Sequence, residues 1–384
     1  ALTKSDAQNA LAWFVLAQTY RHTGQISDAL VSYRTAVEVD PEFKEAWFNL
    51  GNLYRDIDSN LEALACFETS LSKRPDHVPT ILNVAHCYLQ QGDLKTALTW
   101  IDKAVELDPE NPEPQFLKST PLFLAGNLKA GFAAAEWRHQ LPDEYKKLYS
   151  GSEPLWDGAA SLNGKSLIIH AEQGIGDTLM MLRFLQFLPV DECQVTVIVQ
   201  QGLKDLVSRN FPAVTVLEFS GSRAGALPSD IKADLQCSLM SLAHLTRSQW
   251  DQPPASRSYI QAEAAEIRSW RHRITGSASR VVGIVWRGNP GHRNDQNRSI
   301  DLAHFLASLS SDHHYVVLQK DPSPAEVALI SDADRLSIQL AGIDTFDDTA
   351  SLCMALDCLV TVDTSVAHLG GALGLPTFIL IPKH

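Results

Sequence analysis

Large apolar, glycine and small residues recur with a period of 34 over the N-terminal third of the chain. Pro41, Pro75 and Pro109 are spaced by 34 residues, and each ends a similar series at helical spacing. The series are Trp13, Leu16, Tyr20, Gly24, Ala29, Tyr33 and Ala36; Trp47, Leu50, Gly51, Tyr54, Ala63 and Phe67; and Ile81, Tyr88, Gly92, Ala97, Ile101 and Ala104. This period predicts three stacked helix pairs, because one pair cannot bury its apolar side without the next.

A fourth, weaker unit follows from Pro112 to about Pro142. It carries Gln115 and Lys118 where the other units are apolar, which is typical of a capping unit at the end of a solenoid. We therefore expect residues 1–150 to form one α-helical repeat array. Its concave face would bind peptides or protein segments, and the alternative is a spacer or a dimerisation module.

The pattern changes after a stretch rich in proline and glycine at about residues 150–163. Short apolar runs then alternate with helical segments, which predicts βαβ units and parallel sheets. We expect an α + α/β fold, in which the helical solenoid is followed by two Rossmann-like lobes around a cleft, 151–262 and 263–384. Predicted strands are 166–171, 195–200, 214–219, 234–238, 280–286, 315–319, 336–340, 358–362 and 377–381; predicted helices are 178–188, 202–209, 263–273, 301–310, 322–330, 346–356 and 365–373.

Composition and charge narrow the class of protein. Apolar residues make up 45% of the chain and charged residues 20%, which is ordinary for a folded globular protein. The net charge of −13 argues against a nucleic-acid partner, since such proteins usually carry a basic face. The six cysteines are scattered, as expected for small buried residues in a reducing compartment. No run approaches a membrane span and no signal-peptide core is present, so we expect a cytoplasmic protein.

Three stretches place glycines and polar residues directly after a predicted strand. They are His170-Ala-Glu-Gln-Gly-Ile-Gly-Asp177, Trp286-Arg-Gly-Asn-Pro-Gly-His-Arg-Asn-Asp-Gln-Asn-Arg-Ser-Ile300 and Val362-Asp-Thr-Ser-Val-Ala-His-Leu-Gly-Gly-Ala-Leu-Gly-Leu-Pro376. In parallel α/β sheets, ligands bind at the carboxyl ends of strands, against helix N-termini that favour anions. These corners therefore predict an anion-binding cleft.

Together with the repeats, the three stretches resemble bacterial tetratricopeptide-repeat (TPR) proteins that carry a domain similar to the lipopolysaccharide heptosyltransferases, of glycosyltransferase family 9. The resemblance implies a metal-independent, inverting glycosyltransferase of GT-B architecture. It would move a sugar from a nucleotide-diphosphate sugar, with no further cofactor, to a protein, peptide or glycan acceptor presented by the TPR array. Relatives continue beyond Lys383-His384, so we expect a shortened second lobe.

The resemblance makes Asp177 the general base that takes the proton from the acceptor hydroxyl. Glu172 and His170 are the alternatives for this role, and either of them could instead be a satisfied residue at a strand end. On its spacing alone, Asp177 could also be a helix N-cap.

The resemblance also implies a set of residues that bind the donor. They are Gly174, Gly176, Arg287, Asn289, His292, Arg298, Asp363, Thr364, Ser365 and His368. The basic residues suggest capture of an anion by guanidinium groups, and Arg298 aligns with the phosphate-neutralising lysine of the heptosyltransferases. The alternatives are a solvated basic loop, an N-cap at Asp363 and a core position for His368.

We expect no metal site. The Asp-x-Asp triplets that begin at Asp56 and Asp332 fall in predicted turns, and no cysteine or histidine pair has the spacing of a zinc site. The competing hypothesis for the whole chain is a non-catalytic scaffold, in which the repeats bind a partner and the second region is a relic of a nucleotide-sugar-binding domain.

Overall fold

The computed structural model describes residues 8–142, 151–219, 233–250, 258–274, 280–291, 295–333, 336–338 and 343–381. The chain forms two compact units, Ala1–Pro142 and Asp143–Lys383. In the described residues, unit 1 is helical and unit 2 contains two parallel sheets. None of the helices in these ranges is long and apolar enough to span a membrane.

Unit 1 confirms the predicted helical solenoid. Its helices are α1 (Ala10–His22), α2 (Ile26–Val39), α3 (Lys44–Asp56), α4 (Asn60–Lys73), α5 (Val78–Gln90), α6 (Leu94–Leu107), α7 (Pro112–Leu117), α8 (Ser119–Leu124) and α9 (Leu128–Ala135), followed by the 3-10 helix Glu136–Gln140. The pairs α1–α2, α3–α4 and α5–α6 pack internally, and each pair contacts the next.

Small residues let the two helices of a pair approach each other. A Cβ atom at Gly51 on α3 would lie only 2.6 Å from the ring of Phe67 on α4. Ala17 and Tyr33 occupy the same two positions of the period in the first pair, and both are fully buried. Because the buried cluster runs from Ala17 through to Ala104, the pairs share one continuous core.

The fourth unit differs from the others where the sequence is polar. Helices α7 and α8 are separated at Lys118, since Pro121 has no N–H to donate to the carbonyl one turn earlier. Lys118 itself forms a 2.6 Å ion pair with Asp102 on α6. A lysine is therefore accommodated at a position where the earlier units carry an apolar residue.

The first half of unit 2 is built around a parallel sheet with the strand order β3-β2-β1-β4. Its elements are β1 (Ser166–His170), α10 (Ile175–Met181), β2 (Gln194–Val199), α11 (Lys204–Asn210), β3 (Thr215–Glu218), β4 (Leu235–Ser238) and α12 (Leu242–Leu245), with 3-10 helices at Leu182–Phe187, Leu239–Ser241 and Arg247–Gln249. Strand β1 is central, and its Ile169 pairs with Val197 on one side and Cys237 on the other.

The second half of unit 2 contains a parallel sheet with the order β7-β6-β5-β8-β9. Its elements are α13 (Ala264–Ile274), β5 (Val281–Val285), α14 (Asp295–Arg298), α15 (Leu302–Ala307), β6 (His314–Val317), α16 (Pro324–Ser331), β7 (Leu336–Ile338), α17 (Phe346–Met354), β8 (Cys358–Val362), α18 (Ser365–Leu373) and β9 (Thr377–Leu380). The predicted parallel α/β character of this region is confirmed.

Both sheets have the strand order of doubly wound α/β proteins. The chain runs outward from the central strand in one direction and then returns to its other side, so a switch point lies between β1 and β4 and another between β5 and β8. Loops diverge at such a point and leave a crevice at the carboxyl ends of the strands. The predicted polar corners after β1, β5 and β8 all lie at these ends.

Candidate functional site

A cleft of about 1120 Å³ opens at the carboxyl ends of strands from both sheets. It is lined from segments 173–177, 285–291, 318–321 and 363–368, together with Arg298. The cleft brings together nearly all the predicted binding residues, namely Gly174, Gly176, Asp177, Arg287, Asn289, Arg298, Asp363, Thr364, Ser365 and His368. His292 lies outside the described residues.

The turn after β1 presents Asp177 from inside a helix. Helix α10 begins at Ile175, three residues before the predicted start, because Gly174 adopts an extended conformation and serves as the N-cap. The backbone N–H of Gly174 donates to Oδ2 of Asp177 at 3.0 Å. The alternative of an N-cap at Asp177 is therefore wrong: this carboxylate lies in the first helical turn and binds back to the true cap.

A glutamine after the neighbouring strand fixes this turn. Gln200, which directly follows β2, donates from Nε2 to the carbonyl of Gln173 at 2.8 Å. Its Oε1 accepts from the hydroxyl of Thr178 at 2.9 Å. Since these two contacts flank Asp177 on both sides in sequence, Gln200 holds the segment that carries the carboxylate. Sequence reasoning did not find Gln200, although it is the last residue of the predicted strand 195–200.

Burial raises the pKa of Asp177 above the usual value of an aspartate. The Gly174 N–H and the nearby His368 act in the opposite direction on this pKa, and the effect of burial outweighs both. A carboxylate with a raised pKa is a better proton acceptor, because the optimum for a general base lies near the working pH. The cleft therefore contains one carboxylate whose environment suits proton transfer.

The two alternatives to Asp177 lie elsewhere. His170 ends β1 and is 5% exposed, and Glu172 is 7% exposed. Glu172 accepts a hydrogen bond from the hydroxyl of Ser238 at the end of β4. Neither residue is among those that line the cleft. Both residues therefore fit the alternative hypothesis of a satisfied residue at a strand end. The hydrogen bond between Glu172 and Ser238 links the ends of β1 and β4.

His368 lies directly against the turn that carries Asp177. A Cβ atom at Gly176 would be only 2.6 Å from Cδ2 of His368. Helix α10 follows β1 of the first sheet and helix α18 follows β8 of the second sheet, and the two helices pack against each other here. The His368 side chain remains one third exposed, and its Nε2 is 3.9 Å from Oδ1 of Asp363. The alternative of a core position for His368 is therefore wrong, since the ring lines the cleft.

The N-terminus of α18 faces the same cleft. Its N-cap is Thr364 and not Asp363, which corrects that alternative. The Thr364 side chain makes no capping hydrogen bond and lies 3.2 Å from the hydroxyl of Thr361. Because the first N–H groups of a helix have no intrahelical acceptor, those of Ser365 and Val366 are oriented to bind an anion. No acidic residue lies in the first turn of this helix to occupy them.

The two described arginines of the loop after β5 are engaged within the protein. The Arg287 guanidinium donates to the Asp321 carbonyl at 3.0 Å and pairs with Glu326 at 3.3 Å. Arg298 pairs with Asp295 at 3.2 Å and donates to the carbonyl of Asp363 at 3.0 Å. These contacts argue against a merely solvated loop.

Contacts at Gly288 and Gly291 also hold this loop in place. A Cβ atom at Gly288 would lie 2.5 Å from the Arg298 guanidinium. Asn289 accepts from the N–H of Gly291 at 2.9 Å, so its carboxamide shapes the loop.

Sequence reasoning missed one wall of the cleft, the turn after β6. Gln319 is buried, and its Oε1 accepts from the backbone N–H of Arg287 at 3.0 Å. Lys320 and Asp321 line the cleft beside it and are exposed. These residues follow the predicted strand 315–319, so the rule that ligands bind at strand carboxyl ends would have found them.

Within the described ranges, no group of three or more histidine, cysteine, aspartate or glutamate side chains is placed to hold a metal ion. The charged groups that line the cleft are instead the carboxylates of Asp177, Asp321 and Asp363 and the cations of Arg287, Arg298 and Lys320.

Comparison with known proteins identifies the repeats. Residues 17–57 match a family model described as TPR repeat, and residues 59–119 match one described as tetratricopeptide repeat. Unit 1 carries tetratricopeptide repeats. Repeats of this type support interaction with other proteins, since their stacked helices form an extended concave surface.

Protein FlbA of Caulobacter vibrioides is 26% identical to this chain over 321 residues. The alignment covers 77% of the chain and 53% of FlbA, so the chain spans about half the length of this relative. Because unit 1 ends at Pro142, an alignment of that extent continues well into unit 2.

Solved structures with similarity include MamA and YrrB. A crystal structure of MamA has 19% identity and a TM-score of 0.34, and covers 36% of this chain and 84% of its own. The crystal structure of YrrB, described as a TPR protein with an unusual peptide-binding site, has 22% identity and a TM-score of 0.33, and covers 38% of this chain and 75% of its own.

Proposed function

We propose that unit 2 is a glycosyltransferase of the GT-B type that transfers a sugar, with inversion, from a nucleotide-diphosphate sugar to an acceptor hydroxyl. The observation that carries this proposal is that Asp177 and the N-terminus of α18 line the same cleft. A carboxylate with a raised pKa and a helix N-terminus that favours anions line one cleft from two different sheets. Inverting transfer requires a proton acceptor and an anion site on opposite sides of the reacting sugar.

In this reaction the acceptor oxygen attacks the anomeric carbon while the bond from that carbon to the diphosphate oxygen breaks. Asp177 takes the proton from the acceptor hydroxyl, and the departing diphosphate keeps the electron pair of the broken bond. The N–H groups at the start of α18 stabilise the negative charge that develops. The Arg298 guanidinium donates a hydrogen bond to the carbonyl of Asp363 and so places positive charge next to the start of α18.

The TPR array would bind the acceptor of the transfer reaction. Unit 1 offers a continuous stack of helix pairs, and repeats of this kind bind peptides or protein segments on their concave face. We propose that the acceptor is a protein, peptide or glycan that reaches the transferase through this array. The competing function is a scaffold in which only the repeats are active, and the same experiment separates the two.

The experiment uses the full chain and a panel of nucleotide sugars. A donor at ~100 times its dissociation constant should stabilise the fold by about 2.7 kcal/mol, which thermal unfolding detects. Release of nucleoside diphosphate from that donor then reports transfer, or slow hydrolysis. Asp177→Asn should lower this rate by about 10²–10⁴-fold, because an amide cannot accept the proton. Donor binding should be retained, because the diphosphate lies at α18.

Asp205→Asn is the matched control. Like Asp177, Asp205 lies in the first turn of a helix, α11, which follows a strand of the same sheet. Unlike Asp177, it is exposed and does not line the cleft. The Asp205→Asn variant should release nucleoside diphosphate at the wild-type rate. If no nucleotide sugar stabilises the wild-type chain, the proposed transferase function is wrong. If a donor binds but Asp177→Asn turns over at the wild-type rate, Asp177 is not the base.

A further inference from the structure

We propose that Lys320 binds the phosphate of the donor that is closer to the nucleoside. This inference rests on the proposed function, since it assumes that a nucleotide-diphosphate sugar occupies the cleft. Lys320 follows strand β6 and lines the cleft with an exposed side chain.

Lys320 differs from the two arginines that line the cleft, because it forms no ion pair with any of the described residues. Arg287 is paired with Glu326, and Arg298 with Asp295. The side chains of Arg287 and Arg298 are 26% and 14% exposed, and both also bind a backbone carbonyl. In the described part of the chain, no carboxylate lies within ion-pair distance of the Lys320 ammonium group. Its charge is therefore available to a ligand, whereas those of the arginines hold loops together.

The turn that carries Lys320 is fixed from both sides. Before it, the Gln319 carboxamide accepts from the Arg287 N–H and donates to the Lys320 carbonyl at 3.2 Å. After it, Asp321 has a φ of 53°, in the left-handed region, and its carbonyl accepts from the Arg287 guanidinium at 3.0 Å. An aspartate tolerates this conformation better than most residues, although it still costs energy. The contacts of Arg287 thus hold the backbone of Lys320 at the cleft while its long side chain stays flexible.

The strand order indicates which phosphate Lys320 contacts. Strand β5 lies between β6 and β8, and neighbouring strands are about 4.8 Å apart, so the turn after β6 is roughly 10 Å from the start of α18. In the proposed reaction, the sugar-side phosphate lies at α18, close to Asp177. The lining of the cleft continues from α18 past the end of β5 to residues 318–321, so the rest of the donor has room to extend towards β6. Lys320 is accordingly on the nucleoside side, where the first phosphate passes.

The test is calorimetric titration of the full chain with three probes that share the base identified by the nucleotide-sugar panel. The probes are the nucleoside, its monophosphate and its diphosphate. Lys320→Gln should weaken binding of the monophosphate and the diphosphate by a similar factor, about 10-fold or more, as expected for loss of a charge-assisted hydrogen bond. Binding of the nucleoside should be unchanged. At high salt, the difference between Lys320→Gln and the wild type should shrink.

Lys165→Gln is the control, because Lys165 is exposed and precedes β1. It therefore lies at the amino end of that strand, whereas the cleft lies at the carboxyl ends. It should bind all probes like the wild type, and melting temperatures of both variants should match the wild type. An unchanged affinity of Lys320→Gln for the diphosphate overturns this inference and leaves the proposed function intact. A loss confined to the diphosphate, or a wild type that binds the diphosphate but not the monophosphate, overturns the assignment to the nucleoside-side phosphate. Failure of the wild type to bind any nucleoside diphosphate overturns the proposed function itself, and this inference with it.

Discussion

The contact between Gly176 and His368 makes a substitution of one methyl group informative. Gly176→Ala would place a Cβ atom 2.6 Å from Cδ2 and 3.2 Å from Nε2 of the His368 ring. Carbon atoms prefer separations of about 3.5–4.0 Å, so the ring must move by about 1 Å. Overpacking of this kind costs about 1–3 kcal/mol in a closed core. The His368 side chain is one third exposed, so we expect the lower end of this range, about 1 kcal/mol.

The effect on the proposed reaction should exceed the effect on stability. His368 lies between the turn of Asp177 and the carboxylate of Asp363, and a shift of about 1 Å within a reacting site can lower the rate by ~10²-fold. We therefore expect Gly176→Ala to unfold at nearly the wild-type urea concentration and to lose roughly 10²-fold in transfer. Gly371→Ala on α18 is the matched control, since among the described residues no atom outside its own helical turn lies within 4 Å of the added Cβ. It should gain about 0.5–1 kcal/mol of stability from helix propensity and keep its activity.

A second variant determines whether the effect of Gly176→Ala passes through the histidine ring. In a His368→Ala background, the added methyl group meets no ring, so Gly176→Ala should cause no further loss of transfer and the two changes should be strongly non-additive. The reasoning is refuted if Gly176→Ala keeps the transfer rate and donor affinity of Gly371→Ala. It is equally refuted if the losses of the two single variants simply add.

Two further predictions concern stability. Glu326→Ala removes the acceptor of the fully buried Trp286 indole N–H, which is bound at 2.6 Å, and an unsatisfied buried donor costs about 1–3 kcal/mol; urea unfolding should show a loss of this size, and a loss below about 0.5 kcal/mol would contradict it. In unit 1, burial raises the pKa of Glu136, but hydrogen bonds and charge from His139 and Arg138 outweigh it and lower that pKa from 4.5 to about 2. The resulting stability is present above pH 4.5 and disappears as the pH falls towards 2, so Glu136→Gln should flatten the pH dependence of unfolding in that window, and an unaltered acid limb would show that Glu136 does not contribute.

The chain itself determines those features that depend on neighbours in sequence. Tetratricopeptide repeats were predictable because each helix packs against the next within about 34 residues, so spacing such as Gly51 to Phe67 is visible in the sequence. The strand ends after β1, β5 and β8 were predictable for a similar reason, since a short apolar run followed by glycine and polar residues is a local signal. The general location of the cleft follows from these signals combined with the rule for parallel sheets.

The tertiary structure alone decided which of the nearby polar residues line the cleft. His170, Glu172 and Asp177 lie within eight positions of each other, yet the first two are buried below 10% exposure and only Asp177 lines the cleft. The reason is that Glu172 accepts its hydrogen bond from Ser238, 66 residues away on β4. No local pattern specifies that β4 pairs beside β1, so the burial of Glu172 could not be predicted.

The same limit applies to the residues that hold the site in place. Gln200, Gln319 and His368 act on loops 22 to 192 residues away in sequence, and a glutamine after a strand looks the same whether it faces solvent or fixes a neighbouring loop. The roles of the basic residues also depend on distant partners. Arg287 and Arg298 are engaged because Glu326, Asp321 and Asp363 are folded against them, while Lys320 has no such neighbour among the described residues. Charge is a property of the residue, but its availability to a ligand is set by which opposite charges the fold brings within reach.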